Sequence, residues 1–516
     1  MGRRPLKLGT RRSALARAQS GAVAQQLEQQ HPDLKVELVG IETRGDRVLD
    51  RPLHAVEGKE FFTAEIDAAL LRREIDFTVH SYKDLSLERS ARFHLAAVPR
   101  RATPNDVVLF AHDVPERLAA GEQLIIGSSS PRRACFVPEW LRSALPWSGG
   151  RPSRVRLVDL RGNVDSRLRR LHEPRGSARQ LDGVVLAFAG IARLWDEPSA
   201  RAMALELLSG LPRMVLPLSA CPAAPAQGAL ALECRLDDAE TAAVLAALED
   251  AATRRAADVE RALLADRGGG CHQRLGATQI EVPSLGTLFY SREAQGEGDE
   301  VQLGEVQLRW TPETALPSAS QPIRAWDGSL AKQIQMSSLS EGVDAAARAL
   351  QRAPAVFVAH RRALPDNASV QVRAGTPLWV PGISSWRALA ERGVWVEGCA
   401  EGLGFAHIEP LLAEPWLQLP PRARWTVLTH AHAVREWSAG EVIATYETRD
   451  LGSGPPPDAT HLYWASGAQF ERWRERVGAD CVHACGPGKT YEHLRRAGIA
   501  ASMFPGVEQW RRWLQL

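Results

Sequence analysis

Through the first 235 residues, short β-branched or apolar runs alternate with stretches of helical periodicity, the pattern of α/β units built on mostly parallel sheets. The apolar runs predict strands at Leu6–Gly9, Val36–Ile41, Phe77–His80, Leu124–Gly127, Val155–Leu160 and Gly183–Ala187. The intervening periodicity predicts helices at Ser13–Gln29, with Leu15, Ala18, Ala22 and Leu27 inward, and at Thr63–Arg73, with Ile66, Ala69 and Leu70 inward. Two such units fit this length. A strongly helical stretch, DDAETAAVLAALEDAATRRAADVERALLAD, then leads into Gly268–Gly270 and Cys271, and a smaller α/β unit runs to about residue 350. Within it Arg292–Ser320 is polar, with weak periodicity, and reads as edge strands and loops. Beyond 350 the runs VFVAH, PLWVP, TVLTH and HLYWA alternate with helical Ser384–Glu391 and Gln469–Arg476, a further α/β region with a loop at LGSGPPPD, 451–458.

Composition narrows the class. The chain has 516 residues, 45% hydrophobic and 24% charged, enough for about three to five folding units. The opening MGRRPLKLGTRRSALARAQ places Gly, Lys and Arg where a signal peptide needs an apolar core, and no segment approaches the roughly 20 apolar residues of a membrane span. A cytoplasmic protein without a membrane partner is expected. Seven scattered cysteines argue for a reducing compartment rather than a disulfide framework. The net charge of +2 says little about partners, and no nucleic-acid partner is expected. Only six residues are Lys, so the cationic work falls to Arg, whose planar fork grips carboxylate or phosphate.

Four constellations could carry chemistry. DFTVHSYKDL, 76–85, is a buried-type strand ending in Ser81, Lys83 and Asp84; a carboxylate beside a lysine there is either a tuned acid/base or a surface ion pair. IIGSSSPRR runs a strand into Ser128, Ser129 and Ser130 and a helix start bearing Arg132 and Arg133, which suits an anion or is simply a capped helix. The design recurs at VRLVDLRGNVDSRLRRL, with Arg161, Asn163 and Arg167, and at LGTRRSALA, with Arg11 and Ser13. None of these loops has a dinucleotide or P-loop fingerprint. The fourth is RGGGCHQRLGA, where glycines leave Cys271 accessible as an attachment site or nucleophile; a lone cysteine is more often a small buried hydrophobe.

In order, LGTRRSALA, ETRGDRVLD, VHSYKD, GSSSPRR, LRGNVDSRL, QGALALECR and GGGCHQRLGA resemble hydroxymethylbilane synthase, also called porphobilinogen deaminase, over roughly the first 350 residues. The resemblance implies an α/β architecture of two domains like those of periplasmic binding proteins, 1–107 with 214–237 and 108–213, and a small cofactor-bearing α/β domain, 238–350. It implies a transferase of tetrapyrrole biosynthesis that joins four porphobilinogen molecules on a dipyrromethane primer held by a thioether to Cys271, then releases the linear tetrapyrrole. Asp84, with Lys83 beside it, maps to the catalytic carboxylate. Arg11, Ser13, Lys59, Ser81, Ser129, Arg132, Arg133, Arg161 and Arg167 map to residues that hold acetate and propionate groups. No metal is implied. The chain departs from the family pattern at Tyr82 (usually Met), Ala55 (often Lys), GKEFF at 58–62 (usually GKGLF) and SACPAAPAQG at 219–228 (a longer segment than AVGQG), changes that fall on the loop around Lys59 and on the domain hinge.

From about 353, TVLTHAHAVREW, VIATYETRDL, HLYWASGAQFERW and CVHACGPGKTYEHLRRAGI resemble uroporphyrinogen-III synthase, so 351–516 is expected to be a further α/β region of that kind, shortened at its start. The resemblance implies cyclisation of the linear tetrapyrrole, with Tyr446, Ser466 and Thr490 binding carboxylates or assisting loss of water; structural remnants or a noncatalytic scaffold are the alternatives. GPGKT lacks the first P-loop glycine, since His483 stands in its place, and Cys481, His483 and Cys485 with His430 and His432 do not make a zinc pattern. A binding protein for an anionic small molecule is the competing reading of the whole chain.

Overall fold

The computed structural model describes residues 4–43, 63–269, 273–296, 301–317, 323–331, 333–367, 370–438 and 440–515. The chain divides into two compact units, one of Met1–Ser143, Arg151–Gln279 and Phe289–Leu308, the other of Ala144–Gly150, Ile280–Leu288 and Arg309–Leu516. Among the described residues no helix is long and apolar enough to cross a membrane.

The first unit holds two five-stranded sheets. Strands β1 (Leu6–Arg11), β2 (Val36–Ile41), β3 (Phe77–Ser81) and β4 (Phe93–Ala97) join β10 (Leu230–Arg235) in the order β2-β1-β3-β10-β4. β5 (Asp106–Phe110), β6 (Gln123–Gly127), β7 (Arg154–Val158), β8 (Gly183–Ala187) and β9 (Arg213–Val215) form the second, in the order β7-β6-β8-β5-β9. β1 is parallel to β2 and β3, and β6 is parallel to β7 and β8. β10 runs antiparallel to β3 and β4, as β5 does to β8 and β9. The chain therefore passes from the first sheet to the second after β4 and returns after β9. DVVLF in β5 is buried throughout, as a strand covered on both faces requires.

Helix Ala14–Gln30 matches the predicted span, and its buried stripe of Ala18, Gln19, Ser20, Val23, Ala24 and Leu27 contains two of the four expected inward residues, Ala18 and Leu27. Ala22 is exposed, and Leu15 instead stands beside Gly190, on helix Phe188–Asp196 after the second sheet's β8. Val23 and Leu27 pack with Leu8, Phe77 and Leu232 in the first sheet's core. The stretch read as one helical run breaks into Ala239–Leu245 and Ala251–Asp266. Glu249 accepts the Val98 amide at 2.7 Å, a bond across 151 residues, and Asp250 caps the second helix through the Thr253 amide at 2.7 Å; together they outcompete continuation.

Strands β11 (Leu275–Val282), β12 (Gly286–Gln295), β13 (Gln302–Leu303) and β14 (Gln307–Pro312) follow. In the second unit, β15 (Ala325–Asp327) pairs in parallel with β22 (His461–Trp464), which continues through β23 (Val482–Cys485) to β24 (Ala501–Met503). The residues between build a six-stranded sheet from β16 (Ile334–Ser338), β17 (Val356–Val358), β18 (Leu378–Val380), β19 (Gly398–Cys399), β20 (Thr426–His430) and β21 (Glu441–Asp450), in the order β16-β21-β20-β17-β18-β19. Residues before 351 thus already supply a strand to each of this unit's two sheets. Both cores are tryptophan-rich: Trp379, Trp386, Trp416, Trp464 and Trp510 are all fully buried.

Candidate active site

The sequence-predicted loops of the first unit lie at the C-terminal ends of parallel strands, where open α/β sheets present ligands. After β1 come half-buried Arg11 and Ser13; the Ser13 hydroxyl accepts the Ala16 amide at 3.3 Å and caps helix Ala14–Gln30. After β3 the chain makes one 3-10 turn, Tyr82–Asp84. Ser81 is bonded to that first helix through Gln19, whose Nε2 donates to Ser81 Oγ at 3.0 Å. The hydroxyls of Ser13 and Ser81 are therefore engaged in fixing the loops.

Asp84 is exposed and takes no hydrogen bond or ion pair among the described residues. Its neighbour Lys83 donates from Nζ to Gln227 Oε1 at 3.2 Å. Burial pushes the Lys83 ammonium below its ordinary value, while Asp84 opposes the shift. Gln227 extends the chain of contacts, donating from Nε2 to Asp106 Oδ1 at 2.8 Å and to the Pro104 carbonyl at 2.6 Å.

Asp106, fully buried at the start of β5, accepts Arg132 Nη2 at 2.6 Å and Arg133 Nε and Nη2 at 3.1 and 2.6 Å. Burial alone would raise its carboxyl, but the two guanidiniums outweigh burial and hold it well below the usual carboxylate range. Arg132 and Arg133 are 3% and 6% exposed, and they donate further bonds to the carbonyls of Pro222 and Val185, while Arg132 Nε is buried without a hydrogen-bond partner among the described residues. They fasten the start of their helix to β5 from behind the site.

Arg161 and Arg167 differ. Arg167 donates from Nε to the Gly162 carbonyl at 2.8 Å, and among the described residues neither arginine makes an ion pair. One guanidinium nitrogen of Arg161 is buried without a hydrogen-bond partner among those residues. Burial, reinforced by Arg133 and Arg161, pushes the Arg167 guanidinium down to about 10, opposed by Asp159 and Asp84. A guanidinium so depressed lies where positive charge is undercompensated, and a carboxylate ligand supplies what is missing. Ser129 is half-buried at the neighbouring helix start. Lys59 and Cys271 lie outside the described residues.

Comparison with known proteins decides the family. A family model described as "Porphobilinogen deaminase, dipyromethane cofactor binding domain" matches residues 6–243. The porphobilinogen deaminase of Acidothermus cellulolyticus is 40% identical over 311 residues, 57% of this chain and 84% of the relative. That of Roseiflexus sp. is 41% identical over 298 residues, 58% of this chain and 84% of the relative. That of Natranaerobius thermophilus is 34% identical over 316 residues, 61% of this chain and 91% of the relative. The chain belongs to the porphobilinogen deaminase family. It is accordingly a hydroxymethylbilane synthase, a transferase of porphyrin biosynthesis that acts on porphobilinogen and carries a dipyrromethane cofactor. A solved Candida albicans protein described as having the generic periplasmic binding protein fold is 12% identical, with a TM-score of 0.26 over 51% of this chain and 74% of that one, a likeness too low to carry an argument.

For a porphobilinogen deaminase, several supporting residues were missed in the sequence. Gln227 and Asp106 are two. Glu260, fully buried on helix Ala251–Asp266, pairs with Arg101 at 2.6 Å and accepts the amides of Ala226 and Gln279, each at 2.6 Å, so it pins the return segment before β10. Arg101 and Arg193 donate to the Gln227 and Gly228 carbonyls at 2.7 and 2.6 Å. Gly228 has a φ of +87° and lies against the Ala102 carbonyl, so no side chain fits there. Tyr82, the departure from the family's Met, is buried under the Arg261 guanidinium, 4.5 Å from its ring centre. Asp67, His80 and Glu233 converge like metal ligands, but Arg89 fills their centre, pairing with Asp67 at 2.8 Å and Glu233 at 2.6 Å.

In the second unit a cavity of about 520 Å³ is lined by Met336, Ser337, Ser338, Arg362, Thr445 and Tyr446, among others. Burial raises the Tyr446 hydroxyl above its ordinary value, with Arg362 opposing. Ser466 and Thr490 do not line this cavity. Ser466 caps helix Gly467–Trp473 by accepting the Gln469 amide at 3.2 Å, and Thr490 lies in the first turn of helix Lys489–Arg496. Both stand after neighbouring parallel strands, β22 and β23. Beside Thr490, Lys489 places its ammonium 3.8 Å from the Trp437 ring centre and 3.5 Å from Glu436. His483 accepts a hydrogen bond from Trp464 Nε1 at 3.0 Å and is thereby part of the aromatic core.

Proposed function

We propose that the synthase reaction runs on the strand-end loops of the first unit, with Asp84 as the catalytic carboxylate and Lys83 as its cationic neighbour. The observation that carries this reading is the contrast between an exposed Asp84, without a hydrogen bond or ion pair among the described residues, and Arg161 and Arg167, which make no ion pair among them, with Asp84 acting electrostatically on Arg167. A polyanionic chain of pyrroles needs guanidiniums without internal partners, and a centre that becomes cationic needs one unpaired carboxylate. The donor set fits a carboxylate-bearing dipyrromethane, for which Cys271 is the proposed thioether anchor. When bound, that group supplies the nucleophilic pyrrole end from which the product grows.

Asp84 stabilises positive charge developing on the pyrrole that loses ammonia, and it accepts a hydrogen bond from the pyrrole N–H. Lys83, tethered to Gln227, stands as the cationic neighbour of Asp84 and fixes its side of the site. Arg161, Arg167, Arg11 and Ser129 hold acetate and propionate groups, joined by Lys59; Ser13 and Ser81 act through the loops they fasten. The two lobes, each built on one five-stranded sheet and joined by two crossings, are the proposed counterpart of periplasmic-binding-protein domains closing on a ligand. Intact-mass measurement tests the anchor: the purified chain carries the extra mass of a dipyrromethane and Cys271→Ser lacks it. An unmodified parent from cells making porphobilinogen refutes the assignment.

The second reading concerns residues 323–515. A cavity holding Tyr446 and Arg362 beside a parallel α/β frame supports cyclisation of the linear tetrapyrrole to the type III uroporphyrinogen, with Ser466 and Thr490 contributing from the neighbouring sheet. Supplying porphobilinogen and separating the isomers decides it. Type III supports the cyclase; type I alone leaves this unit a scaffold.

A further inference from the structure

We infer that Arg261 is the positioning residue that sets where the Asp84 carboxylate stands. Resting on the reading of Asp84 above, the inference begins from how little else holds the turn. Within Tyr82–Asp84 the closing bond is a long one, Leu85 N–H to the Tyr82 carbonyl at 3.3 Å, and the Asp84 side chain has no partner among the described residues. A catalytic group must be held to about half an ångström, and a lone 3-10 turn at a strand end does not provide that.

Arg261 does. It is 9% exposed on helix Ala251–Asp266, and its fork reaches three carbonyls that bracket Lys83 and Asp84. Nη1 donates to Tyr82 at 2.9 Å and to Leu85 at 3.0 Å, and Nη2 donates to Ser86 at 2.9 Å. Charge-assisted bonds of this kind are roughly twice as strong as neutral ones, and a planar guanidinium fixes the relative placement of the acceptors. The guanidinium plane is itself fixed, because it lies over the Tyr82 ring, and Tyr82 packs among Leu85, Val98, Ala229 and Ala257. The three hydrogen bonds from Arg261 to the turn all end on backbone carbonyls, so it acts through the turn rather than on the reacting atoms. The adjacent Glu260 pins the return segment that carries Gln227, the tether of Lys83. Two consecutive residues of one helix therefore fix Asp84 and its lysine from opposite sides.

The test compares Arg261→Met, Arg261→Lys and Asp84→Asn in the full chain, with ammonia release, intact mass and thermal melting as readouts. Arg261→Met removes all three carbonyl bonds at similar volume. It should still carry the dipyrromethane mass and melt cooperatively, with kcat down about 10²-fold, the cost of a small misplacement, and KM little changed. Arg261→Lys, whose point charge serves fewer carbonyls, should fall between parent and Arg261→Met. In an Asp84→Asn background, Arg261→Met should cost nothing further.

A cofactor-loaded Arg261→Met with parental kcat overturns the inference. If that variant does not fold, Arg261→Lys decides, and parental kcat there shows that the fork is not needed. Normal turnover by Asp84→Asn instead sinks the reading on which the inference rests. An inactive Asp84→Asn beside a full-rate Arg261→Met sinks only the role of Arg261.

Discussion

The two units stabilise their interiors by different means. The first buries charge: Arg89 with Asp67 and Glu233, Arg101 with Glu260, and Arg132 and Arg133 with Asp106. Each pair lies behind a strand-end loop or the return segment. The second buries indole rings, with Trp326 5.2 Å from Trp464, and Trp464 5.3 Å from Phe470 in edge-to-face packing. Its ion pairs, such as Arg511 with Asp327 and Lys489 with Glu436, are partly exposed. Ionic pins are directional and fix a loop at one place, whereas aromatic packing supplies apolar area with looser angular demands. A site that must present one free carboxylate among guanidiniums is better served by the first strategy.

The sharpest way to break this contrast is within one residue type. Asp84→Asn removes a carboxylate with no structural bond, so turnover should fall by about 10²–10⁴-fold while the melting temperature stays put; an ammonia-release assay beside a thermal melt checks both. Asp106→Asn should do the opposite first. It leaves two buried guanidiniums without their charge partner and should cost about 3–5 kcal/mol in denaturant unfolding. Because the folded carboxyl of Asp106 lies below its ordinary 3.8, its contribution is present above that pH and is lost as pH falls toward the folded value. The parent should therefore lose more stability on acidification than the variant.

In the second unit, His483→Ala strands the buried Trp464 indole N–H and should cost about 1–3 kcal/mol, with porphobilinogen consumption unchanged. The smallest effect is a pH slope. Burial lowers the Lys489 ammonium to about 8 from 10.5, with Glu436 opposing. Between those values the unfolded chain binds more protons, so Lys489 should make stability rise with pH, and melts of Lys489→Met against the parent should lose that slope.

How much was legible follows from range. Strand-end motifs were readable because each is local: IIGSSSPRR is a strand end, a turn and a helix start within nine residues, and β2 and β8 fall on the predicted apolar runs. The side chain's destination was not readable. Arg132, Arg133 and Arg161 look alike in sequence, yet only a contact 26 residues away, between Arg132 and Asp106, turns the first pair inward. Gln227 and Arg261 were missed for the same reason, since their partners lie 144 and 179 residues away. The predicted inward face of helix Ala14–Gln30 held at Ala18 and Leu27 and missed at two positions, because alanine fits either side at Ala22 and Leu15 packs beside Gly190 rather than in the sheet's core.

The return of the chain into its first sheet has a consequence for synthesis. β10 separates β3 from β4, so when β4 leaves the ribosome its neighbour is still more than a hundred residues from being made. Until Leu230–Arg235 emerges, β3 and β4 expose unpaired edges, and the Lys83–Asp84 turn has neither Gln227 nor Arg261 to hold it. β15 waits in the same way for β22. Long-range strand closure is slow and leaves edges open to other chains. The nascent protein is thus most dependent on chaperones, and most sensitive to slowed translation, between residues 97 and 230 and again between 327 and 461.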